Sequence, residues 1–566
     1  MTMSTAATGK VSRPTFGELF TPKLVTILRE GYDLSNFRSD AIAGLTVAIV
    51  ALPLSMAIAI ASGASPAQGL YTSIVGGFVV SALGGSRFQI GGPAGAFIVL
   101  VAATVQAHGM EGLILATILA GIMLVAIGLL RLGTYIKFIP YPVTVGFTAG
   151  IAVIIFASQI KELFGLSVEA AEPGPFFEKL SVLWHSAPTF QPAAVVISAA
   201  SIAVVVGLKM VRPHWPGMLI AVAGAAAATA MFDLPVATIG TRFGGIPSSL
   251  PLPALPDVSL ARLQEVFPSA AAFALLGSIE SLLSAVVADG MTGRRHRSNC
   301  ELVGQGIANL ASGLFGGICV TGTVARTATN VRAGAHGPIA GMLHAMFLLL
   351  FVLTAAPLAS FIPLACLAGV LAVVAWNMVE KQAFATLIRA SRGDAAVLLT
   401  TFLLTIFRDL IEAIVVGFAL GSVLFINRMS KTTAIESQAP FVAEDKADDA
   451  GGVRTPYDEA LATNPEVVVY RISGVFFFGA AASIGSILDQ ISDTHRALII
   501  DFEAVPFMDS TAAETIKGLA RKADRRGVKV VLTGTSHVTR TELFVHGIKP
   551  PLVRYEPSIE RALKAI

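Results

Sequence analysis

Two stretches, GGSRFQIGGPAG from Gly84 to Gly95 and GGICVTGT from Gly316 to Thr323, place glycine, proline and small polar residues inside apolar sequence. They lie about 230 residues apart, at matching positions in two successive hydrophobic halves of the chain. Residues of these types interrupt a helix. A pair of interrupted segments at corresponding positions of two halves is typical of a transporter whose binding site is built from broken helices.

The composition indicates a polytopic membrane protein. Hydrophobic residues make up 54% of the 566 residues, only 14% are charged, and the mean hydropathy is +0.73, which a soluble globular protein of this size would not show. No residue between Ala41 and Ser86 is charged, which leaves room for two membrane spans of about 20 residues each. The net charge of +3 is too small to indicate a nucleic-acid partner.

The apolar stretches predict fourteen membrane segments, two of them short. The first seven lie near 41–61, 68–83, 95–107, 111–130, 140–160, 192–209 and 216–232, and the second seven near 267–288, 300–315, 323–332, 336–356, 361–378, 394–408 and 410–427. Counted from a cytoplasmic N-terminus, the inside loops carry more Arg and Lys than the outside loops, which supports the count and predicts that both termini are cytoplasmic.

Seven segments precede a proline-rich connection (233–265) and seven follow it, so the second half is inserted upside down relative to the first. Because each half has an odd number of segments, the two halves form an inverted repeat. The predicted domains are a cytoplasmic N-terminal segment (1–40), a transmembrane transport domain (41–430, with repeats at about 41–235 and 265–430), a linker (431–465) and a C-terminal domain (466–566).

The third segment of each half is predicted to begin at mid-membrane. The N–H groups at the start of such a helix have no intrahelical acceptor, and in a low-dielectric interior they need one. Each helix N-terminus acts as about +0.5 charge and Arg326 adds another charge, which favours an oxyanion. The candidate substrate-binding residues are Ala94, Gly95, Ala96 and Phe97 in the first half and Gly322, Thr323, Val324, Ala325 and Arg326 in the second. Thr321 and Thr323 are candidates to cap the second helix or to donate to the ligand.

A second intramembrane charge, Glu280, lies in the eighth segment, with Ser284 one turn later on the same face. A buried carboxylate is costly unless it is protonated or paired. We predict that Glu280 is the coupling group: its ionised form would repel an incoming anion, whereas its protonated form would admit it. The alternative is a permanent ion pair between Glu280 and Arg326.

The C-terminal tail has a different pattern. VVVYRISGVFFFG, ALIIDFEAV and VKVVLTG predict buried strands, and the stretches 481–492 and 510–526 have helical periodicity, which together indicate an α/β unit. The motif FMDSTAAE (507–514) stands between a strand and a helix.

The segments ALPLSMAIAIASGASPAQGLYTSIVGG, GGSRFQIGGPAGAF, GSIESLLSAVVADGMTGRRHRSNCELVGQGIANL and ARTATNVRAGA resemble the SulP family of sulfate permeases and anion exchangers, and the tail resembles the STAS domain. The resemblance covers nearly the whole chain and is strongest to bacterial members assigned to bicarbonate or C4-dicarboxylate uptake. It implies a seven-plus-seven inverted repeat, with a core domain (segments one to four and eight to eleven) and a gate domain (segments five to seven and twelve to fourteen). It also implies substrate between the third and tenth half-helices, a homodimer, and the bacterial inner membrane.

Two departures from the family bear on the substrate and the coupling ion. Sodium-coupled bicarbonate members hold the cation with an Asp and a Thr in segment eight and with a Thr at the third half-helix. The positions of this chain that resemble these three are occupied by Glu280, Ser284 and Ala94. The longer acid and the lost hydroxyl favour a proton over sodium. Many sulfate-transporting members carry Gln and Tyr where this chain has Leu54 and Ile58, which leaves room for bicarbonate or a carboxylate.

In soluble relatives of the STAS domain a serine in the FMDSTAAE loop is phosphorylated, and Ser510 and Thr511 match it. A hydroxyl after Asp509 at a helix start is also typical of a simple N-cap. No spacing of His108, His336 or His344 with carboxylates or cysteines indicates a metal site, and no cofactor is predicted.

The sequence therefore predicts a secondary active transporter without enzymatic activity, which takes up sulfate, bicarbonate or a C4-dicarboxylate together with a proton. A sodium-coupled bicarbonate symporter, an anion channel, and an anion sensor with the STAS domain as output remain alternatives.

Overall fold

The computed structural model describes residues 16–134, 140–168, 176–212, 215–408, 410–436, 467–473, 476 and 496–566. The chain forms two compact units, one made of Met1–Thr134 with Val196–Val370 and the other of Tyr135–Val195 with Leu371–Ile566. Each unit takes a part of both hydrophobic halves, as an intertwined repeat requires. The sixth and seventh predicted segments fall mainly in the first unit, whereas the family resemblance assigned them to the gate domain.

Helices dominate both units. Numbered in chain order, the first ten are α1 (Phe16–Phe20), α2 (Lys23–Glu30), α3 (Leu34–Ala61), α4 (Pro66–Tyr71), α5 (Gly77–Leu83), α6 (Ile98–Leu129), α7 (Tyr141–Phe164), α8 (Phe176–His185), α9 (Pro192–Val211) and α10 (Gly217–Phe232). The next nine are α11 (Ile239–Phe243), α12 (Leu260–Thr292), α13 (Ser298–Leu314), α14 (Val324–Arg332), α15 (Ile339–Ala359), α16 (Leu364–Met378), α17 (Lys381–Ala390), α18 (Arg392–Phe407) and α19 (Leu410–Glu436). A π-helical turn (Thr72–Gly76) joins α4 to α5.

Each of the fourteen predicted segments coincides with helix. The predicted segments 95–107 and 111–130 are joined in α6, which is interrupted at Gly109, where φ is 69°. Helices α1, α2, α8, α11 and α17 were not predicted.

By length and hydropathy alone, seven helices in the described part of the chain are able to cross a membrane. They are Leu34–Ala61, Gly95–Leu129, Tyr141–Phe164, Pro192–Val211, Leu260–Thr292, Ile339–Ala359 and Leu364–Ala390. Gly217–Phe232 and Glu412–Phe425 are apolar but shorter.

The two interrupted stretches meet at the centre of the first unit. Strand β1 (Gly91–Gly92) pairs antiparallel with β2 (Thr321–Gly322), so that Gly91 lies opposite Gly322. After β1 a 3₁₀ turn (Gly95–Phe97) leads into α6, and after β2 the chain enters α14. The predicted interruptions are confirmed, and their antiparallel pairing is the geometry that an inverted repeat produces.

Polar side chains of neighbouring helices satisfy the irregular backbone before β2. Asn309 Oδ1 accepts from the Val320 N–H at 3.0 Å, and Asn309 Nδ2 donates to the Val320 carbonyl at 2.8 Å. Gln305 Nε2 donates to the same carbonyl at 2.6 Å. Thr72 Oγ1 accepts from the Ile318 N–H at 2.8 Å. Non-helical backbone at this depth is tolerated because protein groups replace the missing ladder.

The backbone before β1 is satisfied in the same way, but from the other half of the chain. Thr327 Oγ1 accepts from the Ile90 N–H at 3.1 Å, and Asn330 Nδ2 donates to the Phe88 carbonyl at 3.0 Å. The Thr323 N–H donates to the Ile90 carbonyl at 3.0 Å. Helix α14 therefore holds the first broken stretch in place.

An N-terminal strap, defined as residues 16–40, binds the turns that flank the broken stretches. The Lys23 N–H donates at 3.0 Å to the carbonyl of Gly84, the first residue of the first stretch. Arg297 Nη1, in the loop after α12, donates to the Thr21 carbonyl at 2.7 Å. The Lys23 amine is partly buried and lies near the positive charge of Arg297, and both effects lower its pKa to about 8.

The end of the strap holds the turn that follows α14. Asp40 is fully buried, and its Oδ1 accepts from the N–H groups of His336 and Gly337 at 2.6 and 3.0 Å. Tyr32 donates its hydroxyl to Asp40 Oδ2 at 2.7 Å. The strap thus connects the entry to one broken stretch with the exit from the other.

The C-terminal domain is a parallel four-stranded sheet of order β3-β4-β5-β6. Its elements are β3 (Val467–Ser473), β4 (Ala497–Ala504), α20 (Ser510–Arg525), β5 (Lys529–Thr533), α21 (His537–Val545), β6 (Arg554–Glu556) and α22 (Ile559–Ala565). Ile500, Phe502 and Leu532 from the sheet and Ile516 from α20 form its core. The second and third predicted strands and the helix after residue 510 are confirmed, and the first strand is confirmed for Val467–Ser473. The rest of that predicted strand, apart from residue 476, and the predicted helix 481–492 lie outside the described residues.

We expect Asn309→Leu to destabilise the protein, because it leaves the buried Val320 N–H without an acceptor. A buried donor left unsatisfied costs about 1–3 kcal/mol, so the midpoint of thermal unfolding in detergent should fall clearly. Thr117→Val is a matched control, because the Thr117 hydroxyl is also fully buried but has no partner to lose. Equal midpoints for both variants would contradict this account.

Candidate functional site

Two helix N-termini meet at the paired strands. The 3₁₀ turn before α6 starts after Ala94 and α14 starts after Thr323, and neither cap residue supplies a side-chain hydrogen bond to its helix. The first N–H groups of both helices therefore lack an intrahelical acceptor. Their partial positive charges add at one place.

The predicted substrate-binding residues differ in accessibility. Gly95 and Val324 are half-buried and Ala325 is exposed. The other six residues are buried: Ala94, Ala96, Phe97, Gly322, Thr323 and Arg326. A ligand can therefore approach the backbone at the starts of the two helices, with the buried residues behind it.

Arg326 lies behind the helix starts with its side chain 1% exposed. Its Nη2 donates to Ser55 Oγ at 3.1 Å and to the Pro93 carbonyl at 3.3 Å, and its Nη1 donates to Ser73 Oγ at 3.3 Å. The guanidinium passes directly over Gly92, where any Cβ would overlap Nη1. Glycine is required at this position because the charged group occupies the space of a side chain.

The charge of Arg326 is not neutralised locally. Its hydrogen-bond acceptors are two hydroxyls and one carbonyl. In the described part of the chain no carboxylate lies within ion-pair distance of it, so the alternative Glu280–Arg326 pair is not formed. A buried cation with neutral neighbours retains its attraction for an anion.

Glu280 lies on α12 with 8% of its surface exposed, and forms no ion pair with a described residue. Ser284, one turn later, is engaged elsewhere, since its Oγ lies 3.0 Å from Thr327 Oγ1. Gln89 Nε2, from the first broken stretch, donates to Ser281 Oγ at 2.8 Å. Helix α12 therefore packs on both broken stretches, and Glu280 is the carboxylate that it carries in this part of the helix.

Phe97 forms an apolar wall between α6 and α12. Its ring centroid lies 6.0 Å from that of Phe273, and it faces Gly277 across the helix crossing. The aromatic contact fixes the first turn of the half-helix against the helix that carries Glu280.

The predicted capping role of the two threonines is wrong. Thr321 Oγ1 donates to the Gly277 carbonyl at 3.3 Å, and Thr323 Oγ1 donates to the Ile90 carbonyl at 3.4 Å. The Thr323 hydroxyl links the two broken stretches, and the Thr321 hydroxyl ties the second stretch to α12.

Sequence reasoning missed several polar residues that support the site. They are Ser55, Ser73, Gln89, Gln305, Asn309, Thr327 and Asn330. The available signal was a polar side chain inside an apolar segment, which marks a functional or supporting position in a membrane protein.

The candidate regulatory residue Ser510 lies at the start of α20 and is 2% exposed. Its Oγ donates to Asp394 Oδ2 of α18 at 2.8 Å and lies 3.2 Å from Glu542 Oε1 of α21. Asp509 is the helix cap, since its Oδ1 accepts from the Ala512 N–H at 2.9 Å. Thr511 is half-buried. The capping function therefore belongs to Asp509, and the Ser510 hydroxyl is free to contact α18.

The described part of the chain contains no group of three or more His, Cys, Asp or Glu residues able to hold a metal ion.

Comparison with known families and proteins agrees with this architecture. Residues 37–401 match the sulfate permease family and residues 460–562 match the STAS domain. The putative sulfate transporter YvdB of Bacillus subtilis (strain 168) is 41% identical over 522 residues, which cover 92% of this chain and 95% of that protein. The bicarbonate transporter BicA of Picosynechococcus is 32% identical over 521 residues, 90% of each chain.

Solved structures show the same fold. The transmembrane domain of a cyanobacterial bicarbonate transporter BicA superimposes with a TM-score of 0.61 at 31% identity, covering 68% of this chain and 98% of that one. SLC26A9 superimposes with a TM-score of 0.65 at 18% identity, over 96% and 92% of the two chains. The chain is therefore a member of the sulfate permease family, a multi-pass membrane anion transporter with a C-terminal STAS domain.

Proposed function

We propose that this transporter takes up an oxyanion together with a proton, and that the anion binds where the N-termini of the two half-helices meet. The observation that carries the proposal is the Arg326 guanidinium, buried beside these N-termini with neutral acceptors. Two helix starts and one arginine supply about two positive charges, which suits a monovalent or divalent anion.

The substrate class is drawn from the site and from the relatives. The relatives named above are described as sulfate and bicarbonate transporters, and a C4-dicarboxylate carries the same carboxylate chemistry. Leu54 and Ile58, which replace polar residues of sulfate-transporting members, are 6% and 3% exposed. Two apolar side chains near Ser55 favour bicarbonate or a carboxylate over sulfate.

Glu280 is the proposed proton carrier. Its carboxylate has no cationic partner in the described part of the chain, so in its ionised form it would oppose an anion at the adjacent site. Sodium requires several fixed oxygens, yet the Ser284 hydroxyl is bonded to Thr327 and Ala94 offers no hydroxyl. These features favour a proton over sodium.

The proposal includes a homodimer in the inner membrane of a bacterium, with both termini cytoplasmic.

A sodium-coupled symporter, a channel and a sensor are the competing functions. Uptake of labelled sulfate, bicarbonate and succinate into proteoliposomes, with pH and sodium gradients imposed separately, distinguishes them. A symporter responds to one gradient, a channel conducts without coupling, and a sensor moves no anion.

Replacing Arg326 by alanine should weaken anion binding, because a charge-assisted interaction is lost. We expect the half-saturating anion concentration to rise by roughly 10- to 100-fold, with Arg326→Lys intermediate. Arg332→Ala is the matched control, because Arg332 lies on the same helix but is exposed. Wild-type uptake by a folded Arg326→Ala protein would remove Arg326 from the site.

Glu280→Gln should keep anion binding and lose the acceleration of uptake by an inward proton gradient, since no proton can be carried. Removing one partner of a buried ion pair would instead cost about 3–5 kcal/mol of stability, so the melting temperature separates the two roles. Glu301→Gln is the control, because Glu301 is also fully buried but accepts from the Ser86 N–H at 2.8 Å. Loss of proton coupling in Glu301→Gln alone would reassign the carrier.

We propose a regulatory role for Ser510. A phosphate there adds about −1.5 to −2 charge next to Asp394 and Glu542, and like charges would push α20 away from α18. Ser510→Glu should therefore change turnover at unchanged anion affinity, while Ser510→Ala and Thr511→Glu should have smaller effects. Equal uptake rates for all variants would exclude this control.

A further inference from the structure

His344, on α15, is fully buried. One ring nitrogen lies near the backbone carbonyl of Gly341, one turn earlier, and the other has no hydrogen-bond partner among the described residues. A buried polar group without a partner carries a desolvation cost. A leucine would fill this position without a desolvation cost, so packing alone does not explain why the residue is a histidine.

The surroundings of His344 place it beside the first broken stretch. At Gly44, α3 approaches α15 so closely that a Cβ would touch the His344 N–H at 3.1 Å. One turn before His344, Gly341 packs against Ser81 of α5 and against Ile90. Ile90 stands two residues before Gly92, and the Arg326 guanidinium lies directly over Gly92.

The Arg326 guanidinium has five N–H donors, and its contacts use three of them. Its two terminal nitrogens donate to Ser55, Ser73 and Pro93, whereas the Nε–H is buried without an acceptor. A neutral imidazole offers one acceptor nitrogen. An unused donor and an unused acceptor therefore lie in the same buried region, and their chemistry is complementary.

We propose that His344 is a positioning residue, which holds the Arg326 guanidinium through a water-mediated hydrogen bond from Nε and so sets anion affinity. A bridging water makes such a bond at little loss relative to a direct one. The inference rests on the proposed anion site at Arg326 and names a residue that tunes it.

A neutral partner suits this role better than an acid would. A carboxylate bound to Arg326 would cancel the charge that attracts the anion, whereas an imidazole orients the guanidinium and leaves its charge intact. The helices around His344 supply no competing charge. Helix α5 has no charged residue, and of the two on α3, Arg38 is exposed and Asp40 accepts from the N–H groups of His336 and Gly337.

The test compares His344→Leu, which removes the acceptor, with His344→Gln, which keeps one. Uptake of labelled bicarbonate and sulfate into proteoliposomes gives KM and turnover, and thermal unfolding gives stability. We expect His344→Leu to raise KM by roughly 5- to 20-fold with turnover and melting temperature preserved, and His344→Gln to stay within about twofold of wild type. Thr117→Val, which alters another buried unpaired group, should change neither constant.

A solely structural histidine predicts the opposite pattern, in which His344→Leu raises the melting temperature and leaves KM unchanged. That result would overturn the proposal. In an Arg326→Lys background, which has no Nε, His344→Leu should raise KM no further, and a full additional effect would also contradict it.

The same variants separate this inference from the proposed function. If Arg326→Ala leaves KM unchanged, the anion site itself is misplaced. If Arg326→Ala raises KM and His344→Leu does not, the site stands and the positioning role of His344 falls.

Discussion

A polypeptide that breaks its helix inside a bilayer has to satisfy the exposed backbone from within the protein. Asn309 and Gln305 bind the backbone of Val320, and Thr327 and Asn330 do the same for the first stretch. At the starts of the two half-helices, by contrast, the cap residues Ala94 and Thr323 make no side-chain hydrogen bond to the first N–H groups. The architecture of the first unit follows from this requirement, since α13 and α14 are placed where their amides and hydroxyls reach the broken backbone.

The same break creates the electrostatics of the site. Two helix starts and a buried arginine concentrate positive charge, and the neighbours of the arginine are hydroxyls and a carbonyl, which orient it without neutralising it. In the described part of the chain Glu280 forms no ion pair with Arg326, so neither side chain neutralises the charge of the other.

Sequence reasoning found what is encoded locally and missed what depends on distant partners. The breaks were visible because glycine and proline stand out in apolar sequence, and Arg326 and Glu280 because charges there are rare. The role of Thr327 was not visible, since its partner Ile90 lies far away in the chain. Thr323 was assigned to the wrong partner for the same reason: the local rule favours a cap, whereas its hydroxyl donates to the carbonyl of Ile90 in the other half of the chain. The N-terminal strap escaped notice because its contacts are mostly to backbone groups.

The pairing of β1 with β2 also bears on how the molecule is made. Ribosomes deliver the first half to the membrane before Thr327 and Asn330 have been synthesised, so the backbone of Phe88 and Ile90 has no permanent partners during that interval. Contacts this far apart in sequence form late and slowly. The site that defines the protein is therefore among the last parts to assemble, and a nascent first half depends on water, lipid headgroups or the insertion machinery until its counterpart arrives.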